Sequence, residues 1–299
     1  MKLNGRELSE KILIDLRLEI IRNDLKPGLG IIIVGNRPDS ILYVNMKKKA
    51  CTRLGITNYD VYLPEDVSEI KLLMEINKMN NNDKINGILI QLPLPKHLNE
   101  ERILNSVKVE KDVDGFSATN MGLLALNSAR TISPCTPAGC IELIDYYNID
   151  LVGKDVVVVG CSKIVGMPLG LMLLNREATV QFCHIKTVNL IEKTKLADIV
   201  IVGCGVPNLI TENHIKEGAI VIDIGINKIK DSNKKRGYRI VGDVDYENVS
   251  KKTSYITPVP GGVGPMTISM LMKHTVRLAK EFKYKMSIKN KNDFSSCNF

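Results

Sequence analysis

The first half of the chain alternates between two hydrophobic patterns. Between residues 3 and 25 apolar side chains recur every three or four positions, which predicts an amphipathic helix that ends at Lys26-Pro27-Gly28. Continuous apolar, β-branched runs then predict buried strands, with periodic helical segments between them. The expected strands cover 29–34, 56–63 and 85–92, and the expected helices cover 39–55, capped by Asp39 or Ser40 and stopped by Gly55, and 68–79.

The second half repeats this alternation. A helix is predicted over 136–147, and a glycine- and proline-rich loop over 256–266 precedes a final periodic segment, 267–282. The predicted strands lie near 155–160, 178–183, 198–203 and 219–224.

Strands that alternate with helices build parallel sheets covered on both faces, with the ligand crevice at the carboxyl ends of the strands. We therefore predict an α/β protein of two doubly wound domains. The first spans 1–120, and the second, a Rossmann-like dinucleotide-binding domain, spans 121–282. The helix at 267–282 is expected to pack back on the first domain, and 283–299 is expected to be a basic polar tail.

Composition narrows the class of protein. A content of 44% hydrophobic and 25% charged residues is typical of a globular protein, and no apolar run approaches the roughly 20 residues of a membrane span. The first 21 residues mix charges with apolar side chains, unlike a signal peptide, so we expect a cytoplasmic protein that does not bind membranes. Seven scattered cysteines without a Cys-x-x-Cys and four separated histidines predict neither a disulfide framework nor a bound metal.

The net charge of +8 leaves nucleic acid as an alternative ligand. Much of the excess lies in 280–291, and aromatic residues make up only 5% of the chain, without a stacking motif. A basic surface also attracts small polyanions such as a dinucleotide or a polyglutamylated substrate. We expect no nucleic-acid partner.

The stretch from Asp155 to Gly170 predicts a nucleotide site. Its four valines indicate a strand buried on both faces, Gly160 permits a tight turn, and a helix follows whose N-terminus faces that turn. The spacing matches neither the G-x-G-x-x-G fingerprint nor a P-loop. The alternative is a glycine-rich turn that packs helix on strand without a ligand.

Two features of the first domain suggest acid–base or binding chemistry. Ser40, Tyr43 and Lys47 share one face of a predicted helix, and a partly desolvated lysine can transfer protons near neutral pH. The alternative is that Lys47-Lys48-Lys49 is a solvated basic face. Asp114, within Lys111-Asp-Val-Asp-Gly-Phe116, can accept two N–H donors from a heterocycle, although Asp-Gly is more commonly only a turn.

Six motifs occur together in an order that resembles the FolD family of bifunctional methylenetetrahydrofolate dehydrogenases and methenyltetrahydrofolate cyclohydrolases. The resemblance runs from residue 3 to residue 282. The motifs are Tyr43-x-x-x-Lys47, Gln91-Leu-Pro-Leu-Pro95, Lys111-Asp-Val-Asp-Gly-Phe116, Pro134-Cys-Thr-Pro137, Gly160-x-Ser162-x-x-Val-Gly166-x-Pro168 and Pro258-Val-Pro-Gly-Gly-Val-Gly-Pro-Met-Thr267.

The resemblance implies how the substrate is bound. Folate would lie in a cleft between the two domains, with Lys47 handling protons during cyclohydrolysis, assisted by Tyr43 and Gln91. Asp114 would hold the amide and amino groups of the pterin. The remaining substrate contacts implied are Ser40, Tyr43, Pro260, Gly261, Gly262 and Val263.

The resemblance also implies a cofactor site, from which this chain departs. Many family members have arginine at the position of Cys161 and serine at that of Ile185, both near the 2′-phosphate of NADP. Because His184-Ile185-Lys186 contains no acidic residue to bind a ribose 2′-hydroxyl, we expect NADP, with His184 or Lys186 near the phosphate. The expected cofactor contacts are Gly160, Cys161, Ser162, Ile185 and Ile226.

The predicted function is oxidation of 5,10-methylenetetrahydrofolate to 5,10-methenyltetrahydrofolate with NADP, followed by hydrolysis to 10-formyltetrahydrofolate. By resemblance this reaction belongs to the one-carbon metabolism that supplies purine, methionine and histidine biosynthesis, and the enzyme is a homodimer. The alternatives are a monofunctional, NAD-dependent methylenetetrahydrofolate dehydrogenase and a non-enzymatic Rossmann-type regulator. The intact Tyr43, Lys47, Gln91 and Asp114 argue against the regulator.

Overall fold

A computed structural model of the protein describes residues 1–234 and 237–295. The chain forms two compact units that are each discontinuous in sequence. One contains Met1–Glu10 and Leu123–Thr267, and the other contains Lys11–Gly122 and the residues from Ile268 onward.

The helices are α1 (Gly5–Arg22), α2 (Pro38–Leu54), α3 (Glu69–Asn80), α4 (Glu100–Asn105), α5 (Ala118–Ala125), α6 (Cys135–Tyr146), α7 (Gly166–Leu174), α8 (Leu190–Leu196), α9 (Tyr246–Val249) and α10 (Val263–Ser295). The strands are β1 (Gly28–Val34), β2 (Thr57–Leu63), β3 (Gly87–Ile90), β4 (Asp155–Val159), β5 (Thr179–Cys183), β6 (Ile199–Val202), β7 (Ile220–Asp223), β8 (Asn227–Lys230), β9 (Tyr238–Val241) and β10 (Tyr255–Ile256). Short 3-10 helices cover Val109–Lys111 and Glu212–His214.

The unit that contains residues 11–122 is built on a parallel sheet in the order β2-β1-β3. Every residue of β1 and β3 is buried, as the continuous apolar runs predict. Since β2 and β3 flank β1 on opposite sides, the chain reverses its winding direction at β1, which is where a doubly wound sheet opens its crevice. A hydrophobic core that includes Ile32, Leu72 and Ile88 lies against one face of the sheet.

The helix α2 begins one position before the predicted cap. Its N-cap is Arg37, with no side-chain hydrogen bond, and Pro38 occupies the first turn. The predicted cap at Asp39 or Ser40 is therefore wrong, because proline has no N–H to satisfy and its fixed φ suits the first helical position. The predicted stop is confirmed, since Gly55 has a φ of 78° and its N–H bonds back to the last turn.

The unit that contains residues 123–267 is built on a parallel sheet in the order β10-β7-β6-β4-β5. Winding reverses at β4, between β5 and β6, so the predicted nucleotide turn lies at the switch point. Both sheets confirm the α/β class, and this second sheet has the Rossmann-like arrangement. The hairpin β8–β9 and the short strand β10 were not predicted from the sequence.

The last helix is longer than its sequence pattern indicates. The predicted helix ends at residue 282 and a polar tail begins at 283, whereas α10 runs from Val263 to Ser295. Lysine is a good helix former, so a basic composition does not end a helix. Residues 296–299 of the predicted tail, including Cys297, lie outside the described residues. Within residues 1–234 and 237–295, no helix is both long enough and apolar enough to cross a bilayer.

His274 connects α10 to the turn that precedes Asp114. Its Nδ1 lies 3.0 Å from the backbone oxygen of Val113, so Nδ1 carries the proton and donates it. Burial, together with the nearby charges of Arg277 and Lys273, lowers the pKa of His274 to about 4. The neutral imidazole is therefore the form that stabilises the fold.

The stabilisation from His274 should be present above its ordinary pKa of 6.5 and be lost as the pH falls toward 4. Between pH 7 and pH 5 this loss amounts to about 2 kcal/mol. His274→Asn retains an N–H donor near Nδ1 and does not titrate, so its melting temperature should fall less over this pH range than that of the parent protein. The control is His97→Asn, at an exposed histidine that contacts the backbone oxygen of Val67. Equal pH dependence in all three proteins would contradict the assignment.

Candidate active site

The predicted catalytic lysine and glutamine are in direct contact. Lys47 on α2 donates from Nζ to Oε1 of Gln91 at 3.0 Å. Gln91 directly follows β3, and its backbone N–H continues the ladder by bonding to Ile32 at 2.9 Å. Its amide nitrogen donates to the backbone oxygen of Leu92 at 2.7 Å, which fixes which end of the amide faces the lysine. Lys47 is half-buried, so it is not part of a fully solvated basic face.

Tyr43 and Ser40 precede Lys47 on the same face of α2. Ser40 is buried, and Tyr43 is 36% exposed. Partial burial raises the pKa of the Tyr43 phenol, and the charge of Asp39 adds to this effect. Tyr43 is therefore neutral near pH 7, and it can donate or accept a hydrogen bond without carrying charge.

The segment around Asp114 is held by its neighbour Asp112, which the sequence did not single out. The buried Asp112 carboxylate accepts hydrogen bonds at 2.9 Å from the backbone N–H of Gly115, the backbone N–H of Ser117 and the side-chain amide of Asn120. Gly115 has a φ of 67°, which closes the turn in a conformation that glycine adopts without strain. Asp114 itself is half-buried.

Lys111 anchors the start of this turn. Its Nζ donates to the backbone oxygens of Met79 at 3.1 Å and Asn82 at 2.9 Å, and burial lowers the pKa of its ammonium group. Lys111, Asp112 and His274 thus fix both sides of Asp114. The sequence signal for Asp112 was its position three residues before a glycine, where aspartate commonly accepts backbone N–H groups.

The nucleotide turn after β4 depends on close backbone contact. Gly160 has a φ of 109°, and its N–H bonds to the backbone oxygen of Cys183 at 2.8 Å. A Cβ on Gly166 would lie 1.8 Å from the Gly160 oxygen, so only glycine permits this approach of α7 to the turn. Ser162 accepts hydrogen bonds from the N–H groups of Val165 and Gly166. α7 begins at Gly166, directly after this turn, as the sequence predicted.

The end of β5 provides surroundings that fit a phosphate. Cys161 donates from Sγ to the backbone oxygen of Cys183 at 3.3 Å, so its side chain points toward this end. His184, Ile185 and Lys186 follow in an exposed turn, and Ile185 is 98% exposed. The Lys186 N–H donates to Nδ1 of His184 at 3.1 Å, which leaves the proton of a neutral imidazole on Nε2. These donors, without a carboxylate in the turn, suit the 2′-phosphate of NADP.

The predicted loop at 256–266, which carries the implied substrate contacts at 260–263, belongs to the same unit as the nucleotide turn. Gly261 has a φ of 111°, and a Cβ there would meet nothing within 4 Å. Gly262 differs, because a Cβ would lie 2.7 Å from the Pro258 oxygen. Val263 is buried and Pro260 is exposed. The loop therefore presents backbone at Gly261 to open space.

The N-terminal residues support this loop. The N–H of Arg6 donates to the Gly261 oxygen at 3.1 Å, and a Cβ on Gly5 would lie 1.9 Å from the Gly262 oxygen. No sequence motif indicates this contact, because the two segments are far apart in the chain. Ile226, the last predicted cofactor contact, is 48% exposed after β7.

One unit carries a glycine turn that fits a dinucleotide. The other carries a lysine that is hydrogen-bonded to a glutamine at the end of a second parallel sheet. Together these features define a dinucleotide-dependent oxidoreductase with an acid–base site. Two family models match the chain. Residues 3–114 match "Tetrahydrofolate dehydrogenase/cyclohydrolase, catalytic domain", and residues 134–283 match "Tetrahydrofolate dehydrogenase/cyclohydrolase, NAD(P)-binding domain". The chain belongs to the tetrahydrofolate dehydrogenase/cyclohydrolase, or FolD, family, as its motifs predicted.

Individual relatives agree with this assignment. The bifunctional protein FolD of Nautilia profundicola is 54% identical over 283 residues, which cover 94% of this chain and 97% of that protein. The crystal structure of the bifunctional FolD enzyme of Campylobacter jejuni has a TM-score of 0.90 and 47% identity, and covers 94% of this chain and 99% of its own. The Trypanosoma brucei enzyme, solved with NADP cofactor and an inhibitor, has a TM-score of 0.91 and 37% identity over 94% of this chain and 97% of its own.

Proposed function

We propose that this protein oxidises 5,10-methylenetetrahydrofolate with NADP and hydrolyses the 5,10-methenyltetrahydrofolate product to 10-formyltetrahydrofolate. Family membership across both domains supports the two activities. NADP, when bound, accepts the hydride that leaves the methylene carbon. The chain's own residues orient the folate and move the protons that hydrolysis requires.

The contact between Lys47 and Gln91 carries the cyclohydrolase assignment. Hydrolysis of the methenyl bridge requires a proton to leave the attacking water and another to reach a ring nitrogen. Lys47 is a half-buried amine held at 3.0 Å from a glutamine oxygen, and a neutral tyrosine lies one turn before it on the same helix face. We assign proton transfer to Lys47, its orientation to Gln91 and a supporting hydrogen bond to Tyr43.

We assign the folate-binding roles to residues on loops that hydrogen bonds or close backbone contacts hold in place in each unit. Asp114 projects from a turn that Asp112 and Lys111 hold in place, and its carboxylate can accept two N–H groups from the planar pterin. The Gly261 backbone, with Pro260, Gly262 and Val263, would contact the substrate where a side chain would exclude it. Ser40 is assigned a binding role beside Tyr43.

NADP is favoured over NAD by the residues that follow β5. A dedicated NAD site usually places an acidic side chain there to bind the ribose 2′-hydroxyl. In this chain the turn supplies His184 and Lys186 instead, with Cys161 pointing to the same strand end. The cofactor contacts that we assign are Gly160, Cys161, Ser162, Ile185 and Ile226.

The location in the cytosol and the assembly into a homodimer are further parts of this proposal.

Lys47→Met should separate the two reactions, because it retains much of the side-chain volume but removes the amine. Positioned acid–base catalysis contributes roughly 10²–10⁴-fold, whereas hydride transfer needs mainly orientation. Hydrolysis should therefore fall toward the solvent rate while oxidation remains measurable, and methenyltetrahydrofolate should accumulate, as followed by its absorbance. Lys49→Met, at an exposed lysine of the same helix, should leave both rates unchanged. Equal losses of both activities in Lys47→Met would indicate a binding role instead.

Asp114→Ala should weaken both activities through folate binding. Loss of a charged acceptor that pairs with two N–H donors costs about 1.5–3 kcal/mol, so the KM for folate should rise roughly ten- to hundredfold in each assay. Asp66→Ala, at an exposed aspartate of the same unit, is the matched control. Near-normal folate affinity and turnover in Asp114→Ala would reject the role.

Cys161→Arg should raise the preference for NADP over NAD. The Cys161 side chain points toward the end of β5, so a guanidinium there can reach a phosphate beside residue 185. A bidentate contact of this kind is worth roughly 1.5–3 kcal/mol, and the ratio of kcat/KM for the two nucleotides measures it. Cys161→Ser tests the loss of the thiol without an added charge. An unchanged ratio in Cys161→Arg would show that the 2′-phosphate binds elsewhere.

A further inference from the structure

Two buried carboxylates lie at the carboxyl edge of the sheet that carries the nucleotide turn. Asp223 is the last residue of β7, and Asp243 follows β9 by two positions. Asp223 is 3% exposed and Asp243 is fully buried. Neither residue contributes to the proton transfer or the folate binding described above, so their burial needs another explanation.

Asp243 holds the loop that follows β6. Its Oδ2 accepts hydrogen bonds from the backbone N–H of Cys204 at 2.7 Å and of Gly205 at 2.9 Å. Its Oδ1 accepts a hydrogen bond at 2.8 Å from the side-chain amide of Asn227, the residue after Ile226. One carboxylate therefore ties two separate loops together at the end of the sheet.

Asp223 in turn binds the backbone at Asp243. Its Oδ1 accepts hydrogen bonds from the N–H of Gly225 at 2.8 Å and of Asp243 at 3.0 Å, and its Oδ2 accepts one from Val244 at 3.0 Å. Glycines allow the backbone to approach both acids. A Cβ on Gly242 would lie 1.8 Å from Asp223 Oδ2, and a Cβ on Gly225 would lie 2.3 Å from Asp243 Oδ1.

The loop that Asp243 holds touches the nucleotide turn. A Cβ on Gly160 would lie 2.4 Å from the Gly203 oxygen and 3.5 Å from the Cys204 nitrogen, so the two backbones are in close contact. Gly205 has a φ of 72°, and a Cβ there would meet nothing within 4 Å, so this backbone faces open space. Ile226 is flanked by Gly225, which bonds to Asp223, and by Asn227, which bonds to Asp243.

We propose that Asp243, supported by Asp223, is a positioning residue for the dinucleotide: it fixes the Cys204–Gly205 loop against the Gly160 turn and orients Ile226. The inference rests on the proposed function of this site in NADP binding. Because the carboxylate is an acceptor for backbone N–H groups, it shapes the site without contacting the nucleotide itself. Its loss should therefore impair NADP binding and hydride transfer, and leave hydrolysis of methenyltetrahydrofolate intact.

The test replaces Asp243 with asparagine. Asp243→Asn keeps the size of the side chain, but places an amide nitrogen or a weaker neutral acceptor opposite the N–H groups of Cys204 and Gly205. Hydrogen bonds to charged groups are strong enough that the Kd of NADP, measured by calorimetry, should rise roughly ten- to hundredfold. The KM for NADP should rise with it. Hydrolysis of added methenyltetrahydrofolate, assayed without nucleotide, should stay within about twofold of the parent rate.

The matched control is Asp198→Asn. Asp198 lies directly before β6, at the amino ends of the strands of the same sheet. Asp198 accepts a hydrogen bond from the N–H of Asp155 at 2.9 Å and pairs with Lys216 at 2.6 Å. This variant should lose stability without a change in NADP affinity. Asn227→Ala is a milder second variant, because it removes only the side-chain donor to Asp243 and to the Gly242 oxygen. It should raise the Kd of NADP severalfold even if Asp243→Asn does not fold.

Two results would overturn the positioning role. One is an unchanged NADP affinity in a folded Asp243→Asn, or in Asn227→Ala if Asp243→Asn does not fold. The other is a parallel loss of hydride transfer and hydrolysis, which would indicate a general structural defect. Failure of the proposed function itself would be distinguishable, since the parent protein would then neither bind NADP nor form methenyltetrahydrofolate with it.

Discussion

Buried carboxylates that accept backbone N–H groups hold together the ends of both sheets. Strands buried on both faces leave their unpaired backbone groups at the ends, where each buried N–H must find an acceptor. Asp112 satisfies two such groups in the unit that carries Lys47. Asp223 and Asp243 satisfy five in the unit that carries the nucleotide turn. These acids shape the loops on which the proposed binding residues lie.

The residues that we propose for proton transfer and for dinucleotide binding lie in different units. Lys47 and Gln91, to which we assign proton transfer and its orientation, are brought together by a helix and a strand end within one unit. The nucleotide turn and the glycine-rich loop at 256–266 belong to the other unit, where close backbone contacts shape the turn and Gly261 faces open space. A change in one unit can therefore affect one reaction more than the other, although both reactions use the same folate.

Much of the fold was predictable because its strands are continuous apolar runs and its helices are periodic. The proposed site residues Lys47, Gln91 and Asp114 could be singled out from motifs that combine a helix face or strand end with a polar group. The structural supports Asp243 and His274 were harder to predict, because they act through contacts with residues distant in sequence. The end of α10 was missed because charge patterning does not report helix length, and the cap of α2 was missed because Pro38 displaced the expected polar cap.

The division of each unit between distant parts of the chain has a consequence for synthesis on the ribosome. Leu3 bonds to Ile256 and residue 2 also pairs with Ile256, so residues 2 and 3 find their partners only after residue 256 has emerged. The other unit likewise requires α10, through the contact of His274 with Val113. Domains usually fold as units during translation, the N-terminal one first. Here one unit cannot complete its native contacts before residue 256 is synthesised, and the other cannot before residue 274 is, so neither unit can finish folding early in translation.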